Sequence, residues 1–228
     1  MSPDPKDAFP EVAARGELAG ESLVVLRELL QRSADFGFLG PGPAEAQLDH
    51  ALRMGQVVAD LVGDGTTLLD LGSGGGVPGL VIACQLPLVT VTLMESQGRR
   101  CDFLQEAADR LWDRLEITCL VEHGRAEVLS RRIDLDAAFQ TVVARSFGPP
   151  AVVSECAARF LADEGYLFVA EPPVAESGRW SETGLQSLGM ELLEVKTIPV
   201  PIAIVRRVGK LEMSVPRRDG VPRRKPLW

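Results

Sequence analysis

Cysteine is scarce and scattered: four residues, at 84, 101, 119 and 156, with no C-x-x-C pair among them. That spacing argues against a zinc site or a disulfide framework, no metal is expected, and a reducing cytoplasm is the default compartment. Histidine is scarcer still, His50 and His123 only, so a histidine mechanism has few candidates, and His123 reads as a loop residue. No run of 18 apolar residues occurs, and the N-terminal MSPDPKDAFP has neither a basic nor an apolar signal region, so neither a membrane span nor an export signal is expected. Internal repeats are absent, as are basic runs interleaved with the aromatics that would stack on bases. What remains is 228 residues, 46% of them hydrophobic, which suits one α/β domain with additions.

The stretch LLDLGSGGGVPG, 68 to 79, organises the rest. A strand-like run ends in an acid and a glycine cluster, and an apolar run resumes after Pro78, which reads as strand, tight turn and helix start. Glycines at 72, 74, 75 and 76 permit positive φ and close approach of a ligand to the main chain. Gly74, Gly76 and Gly79 satisfy the loose G-x-G-x-x-G pattern of dinucleotide sites. Asp70 argues against a pyrophosphate, which it would repel, and for an ammonium group, which S-adenosylmethionine carries together with its sulfonium. Glu95 closes the next strand-like run, where an acid accepts hydrogen bonds from ribose hydroxyls; it fits either cofactor.

Before that turn, leucines at 23, 26, 29 and 30 and a second run from Ala44 to Leu61 recur at helical spacing, with FGFLGPGP between them. Such a helical cap, 1 to 62, could cover a sheet edge or fold over the cofactor mouth. Strands and helices alternate through 63 to 210: strands at Thr66 to Leu71, Val89 to Met94, Glu116 to Val121, Thr141 to Ala144 and Tyr166 to Ala170, and helices from Gly79, Gly98, Pro150 and Ser181. Two closing runs, Leu192 to Pro199 and Ile202 to Val208, are joined tightly enough to be antiparallel. The expectation is a mostly parallel sheet with helices on both faces and ligands at the strands' C-terminal ends, where Asp70, Glu95, Gly124 to Glu127 and Arg145 would gather.

DLGSGGGVPGL with ES at 95, GRRCDFL at 98, GRAE at 124, VARSF at 143 and the closing VPRRDGVPRRKPLW resemble the GidB/RsmG family, bacterial methyltransferases of small-subunit ribosomal RNA. The resemblance implies a class I S-adenosylmethionine-dependent fold and methylation of a guanine at N7. Carried over by position, Gly72 and Val77 would line the methionine end of the cofactor, Ala126 and Glu127 would meet the adenine through the backbone, and Arg145 would lie in the site as its catalytic residue and a cofactor contact. Two departures stand out. The family's W-D-R-H run in the cap is reduced here to Asp49 and His50, and its lysine and glycine after the fifth helix-linked strand are replaced by Glu171, Pro172 and Pro173. Guanine N7 offers a free lone pair, so transfer needs positioning rather than a general base. Arg145 is assigned to binding a carboxylate, guanine O6 or a phosphate.

The chain is net −8, unusual for a protein whose partner is a polyanion. Residues 206 to 228 nonetheless hold eight Lys or Arg against Glu212 and Asp219. The tail, 211 to 228, is expected to be free of the core and to tether ribosomal RNA or the small subunit through Arg217, Arg218, Arg223, Arg224 and Lys225, with His50 as a further substrate contact; the alternative is a docked structural strap anchored by Trp228 or Leu227. The acidic body, Glu171 and the incomplete cap run motivate an alternative, methylation of a small molecule. A third reading is cofactor binding without transfer.

Overall fold

The structure, a computed structural model, describes residues 18, 20–174, 178–212 and 214–228. The first part of the expected cap, before residue 18, lies outside them. Seven strands form one sheet in the order β3-β2-β1-β4-β5-β7-β6. They are β1 Thr67–Leu71, β2 Thr90–Glu95, β3 Cys119–His123, β4 Phe139–Ala144, β5 Leu161–Ala170, β6 Met190–Lys196 and β7 Ile202–Arg207. The first five run parallel, and β7 inserts antiparallel between β5 and β6. That is the class I S-adenosylmethionine-dependent methyltransferase sheet, with the reversal of strand order between β1 and β4 that makes a crevice at their C-terminal ends.

Alternation along each strand divides the core. Leu68, Val91, Leu93, Val143 and Phe168 face one cluster, and Leu69, Leu71, Met94, Val142, Ala144, Leu167 and Val169 face the other. Helices α1 Gly20–Asp35, α2 Ala44–Ala59, α3 Gly79–Gln85 and α4 Gly98–Leu115 cover the first face. The second is covered by α5 Ala126–Leu129, α6 Pro150–Ala157 and α7 Glu182–Ser187. The cap is thus continuous with the first core. Its linker backs the glycine turn: Ser33 Oγ donates to the Gly75 carbonyl at 2.9 Å, and a Cβ on Gly75 would lie 2.9 Å from the Phe38 carbonyl.

Element ends depart from the sequence reading where local geometry intervenes. Glu116 takes φ 57° as the C-cap of α4, so β3 starts at Cys119 rather than 116. The helix expected from Pro150 to Leu161 stops at Ala157, because the Phe139 amide pairs with the Phe160 carbonyl and draws the chain into β5.

The tail is the largest correction. It was expected to hang free, and instead it straps the second face. Pro216 and Pro222 are buried, Leu211, Val215 and Trp228 pack on the second core, and residues Val221–Arg224 form a helical turn, α8. Arg131 donates to the carbonyls of Ser214 (3.2 Å) and Pro216, and Trp228 Nε1 donates to the Arg179 carbonyl at 3.1 Å. The fold reason lies in α6. Glu155 is fully buried, and Arg217 satisfies it with its main-chain amide (2.9 Å), Nε (2.8 Å) and Nη2 (2.6 Å). A buried carboxylate without such partners would be costly, so the strap and α6 stabilise one another.

Candidate functional site

A cavity of about 380 Å³ opens where the strands' C-terminal ends meet the loops that follow β1 to β4. Its size falls in the range of small-ligand sites. Gly72 and Leu71 line it from β1, Met94, Glu95, Ser96 and Gln97 from β2, Gly124 to Glu127 from β3, and Ser146 and Phe147 from β4; Arg100, Val152, Cys156 and Arg223 complete the wall.

The glycine turn is built from its own amides. Gly72 N–H and Ser73 N–H both donate to the Met94 carbonyl at 2.9 Å, and Gly76 N–H donates to the Ser73 carbonyl at 2.8 Å. Gly74 N–H donates to Glu95 Oε2 at 3.0 Å, and Gly79 N–H donates to Asp70 Oδ2 at 2.9 Å. Gly72 has φ 77°, and a Cβ there would stand 2.6 Å from the Phe147 ring. Only glycine meets both demands.

Glu95 is buried, and its second oxygen accepts from the amides of Ser96 (2.6 Å) and Gln97 (2.9 Å). Arg100 Nη1 lies 3.8 Å from it and its guanidinium stacks on the Phe38 ring of the cap linker, 5.8 Å to the centroid. The carboxylate therefore ties the ends of β1 and β2 together and lines the cavity at the same time. On the β3 side, Glu127 Oε1 accepts from Arg125 Nη2 at 3.3 Å and from Gly220 N–H of the strap at 3.0 Å.

Asp70 does not line the cavity. Its side chain turns to the α3 side and caps that helix through Gly79, leaving Oδ1 buried without a hydrogen bond. Burial pushes its carboxyl up to about 7, against the pull of the Gly79 amide, Ser73 and Arg145. An attraction to a ligand ammonium is therefore not its direct role, a correction to the sequence reading. Gly74, Gly76 and Val77 shape the turn behind the cavity, outside its lining. Gly72, Glu95, Ala126 and Glu127 are brought together as expected.

Arg145 lies beside the cavity lining, not in it, and joins β4 to the cap. Its Nη2 donates to Gln47 Oε1 and its Nη1 to the Gln47 carbonyl at 3.4 Å. Near it on α2, His50 has its basicity lowered by burial and then by the Arg145 charge, and its Nδ1 is buried without a hydrogen bond. Cap and sheet thus meet at Gln47, His50 and Arg145.

Glu171 departs from expectation as well. It is buried at the end of β5, bonded to Arg179 Nη1 (2.7 Å) and Trp180 Nε1 (3.3 Å), and is not an acid presented to a polyanion. Arg217 is likewise withdrawn from substrate by Glu155, while Arg223 donates to the Phe147 carbonyl at 2.8 Å and enters the cavity wall. Arg218, Arg224 and Lys225 are exposed. Leu71, Met94, Ser96, Gln97, Arg100, Ser146, Phe147, Val152 and Cys156 line the cavity without having been expected there; Ser96, Arg100, Ser146 and Phe147 stand inside motifs quoted above without a role. Among the described residues no helix is long and apolar enough to cross a membrane.

Comparison with known proteins agrees with this geometry. Residues 27–197 match the family GidB, described as rRNA small subunit methyltransferase G. A ribosomal RNA small subunit methyltransferase G of Lachnoclostridium phytofermentans is 32% identical over 171 residues, 72% of this chain and 69% of the relative. The enzyme of that name from Symbiobacterium thermophilum is 32% identical over 197 residues, 81% of this chain and 80% of its own. Two solved structures share the fold. The antibiotic-resistance methyltransferase Kmr has a TM-score of 0.51 at 16% identity, covering 69% of this chain and 93% of its own. The [4+2]-cyclase SpnF has a TM-score of 0.53 at 19% identity, covering 82% and 76%. Neighbours named for different reactions show that the sheet alone does not set the chemistry. The family match does, and this chain belongs to the GidB family of small-subunit ribosomal RNA methyltransferases.

Proposed function

We propose that this chain binds S-adenosylmethionine in the cavity between the glycine turn and the β3 loop and transfers its methyl group to guanine N7 of small-subunit ribosomal RNA. The observation that carries the cofactor assignment is where the turn's amides go. Those of residues 72, 73, 74, 76 and 79 are spent on Met94, Ser73, Glu95 and Asp70, so they are not offered to a pyrophosphate as a dinucleotide turn requires. A carboxylate, Glu95, faces the cavity at the end of β2, in the position that suits ribose hydroxyls. The residues present fit a nucleoside donor without phosphate.

When bound, the donor supplies an electrophilic methyl on a sulfonium. The protein's contribution is placement. Gly72 allows close main-chain approach, Glu95 holds the ribose, and Ala126 and Glu127 border the base. Arg145, held by Gln47 where the cap meets the sheet, positions the acceptor. N7 carries a free lone pair, so no side chain has to remove a proton, and holding the two reactants in line supplies the rate enhancement. Positive charge moves from sulfur to the purine during transfer, which places Arg145 as a binder of oxygen or phosphate rather than a neighbour of N7.

Glu171 is one of three features that favour a small-molecule acceptor, beside the acidic body and the incomplete cap run, and its pairing with Arg179 and Trp180 withdraws that one. Calorimetric titration with S-adenosylmethionine tests the site. Glu95→Ala should lose about 1.5–3 kcal/mol, the worth of hydrogen bonds to a charged group. Unchanged affinity in a folded variant would place the cofactor elsewhere.

A further inference from the structure

The strap does more than cover α6. It touches both rims of the cavity with a single short segment. On the β3 rim, Asp219 Oδ1 accepts from Arg125 Nε at 3.0 Å and Gly220 N–H donates to Glu127 at 3.0 Å. On the β4 rim, four residues later, Arg223 donates to the Phe147 carbonyl at 2.8 Å. Between these contacts the Arg223 side chain forms part of the wall. The arrangement is anchored from below by Arg217 on the buried Glu155 and at the far end by Trp228 on α7.

Glu127 is the pivot. It is buried, it lines the cavity, and the strap amide is one of its two hydrogen-bond donors. Arg125, its other donor, is itself held by Asp219. The strand order β3-β2-β1 sets what lies there: a nucleoside with its ribose on Glu95, at β2, extends its base away from the glycine turn of β1 and towards the β3 loop.

We infer that the C-terminal strap, through Asp219 and Gly220, is a positioning element of the nucleoside end of the donor site, so that strap docking and donor binding stabilise each other. This rests on the donor site proposed above. Reciprocity follows from linkage: whatever factor the docked strap adds to donor affinity, the bound donor adds to strap docking. The ligand is the nucleoside end of the proposed donor, and adenosine serves as its isolated probe.

The test uses the full chain with Asp219→Ala, which is exposed and removes one ion pair, and Gly220→Ala, whose φ of 71° a side chain resists and whose amide would shift off Glu127. Asp219→Glu serves as the conservative rescue. Wild type should bind S-adenosylmethionine and, more weakly, adenosine. Both alanine variants should raise the KM for the donor about three- to tenfold with kcat within twofold, weaken adenosine by the same factor, and leave the KM for RNA unchanged; Asp219→Glu should restore the wild-type values. Trypsin cleavage within 217–225 should slow when donor is added to wild type, and slow less in the alanine variants. If wild type binds the donor and both variants bind it equally well, the strap is only a structural clasp and the inference is wrong. If wild type itself does not bind the donor, the site assignment fails before the strap is reached.

Discussion

Two buried carboxylates carry opposite consequences. Glu155 is fully buried and paired with Arg217, whose side chain is about a third exposed. Arg217→Ala removes the guanidinium and leaves that charge with only the main-chain amide of residue 217, and should cost about 3 kcal/mol, the low end for breaking a buried pair, measured by urea unfolding. Arg27→Ala, which breaks an equally good-looking pair with Glu45 at 2.7 Å on the surface, should leave the midpoint unchanged. Asp70 has no cation against it in contact, and burial raises its carboxyl from 3.8 to about 7. Its native state then keeps a proton that the unfolded chain has released, so the stability from this group is full below about pH 4 and is lost as pH rises through about 7. Asp70→Asn keeps an acceptor for Gly79 and removes the titration. The stability difference between wild type and variant should therefore shift against wild type from pH 4 to 7; a difference independent of pH would show that Asp70 titrates normally. Glu155 drew no expectation from the sequence, because its partner lies 62 residues away in the tail and no local spacing links the two.

At the level of elements, β1 and β2 were legible as apolar runs, buried on both faces, that each end at or beside an acid, and the antiparallel closing pair was legible from its short connection. Boundaries failed where one residue's backbone decided them, as at Glu116, or where pairing overrode helical pattern, as after Ala157. The tail failed for a different reason: its burial uses two prolines and one terminal tryptophan, not a periodic face, so no pattern announced it. Gly184 offers a direct check. A Cβ there would run into the Trp228 ring, so Gly184→Ala should destabilise the protein although alanine favours α7 by up to about 1 kcal/mol. Thermal unfolding and tail proteolysis should show the loss together. A stabilised variant with an unchanged tail would mean that Trp228 does not dock on α7.

Over the whole molecule, an acidic body must still meet RNA. Arg217 is committed to Glu155 and the exposed Arg223 to the Phe147 carbonyl, which leaves Arg218, Arg224 and Lys225 as further exposed cations of the tail for phosphate. Replacing these three by serine should weaken RNA binding and lower the slope of log K against log salt by up to about two to three, while leaving donor affinity intact. The cavity was legible from the glycine turn and Glu95; the junction of the cap with β4 through Gln47 and Arg145 was not, because it depends on how two distant segments pack. Methyl transfer to guanine N7 is most directly tested by mass spectrometry of small-subunit ribosomal RNA nucleosides from cells lacking this gene, complemented with wild type or with Glu95→Ala. Loss of one 7-methylguanosine, restored by wild type and not by the variant, is the predicted result. An unchanged 7-methylguanosine content in the absence of the gene would contradict it.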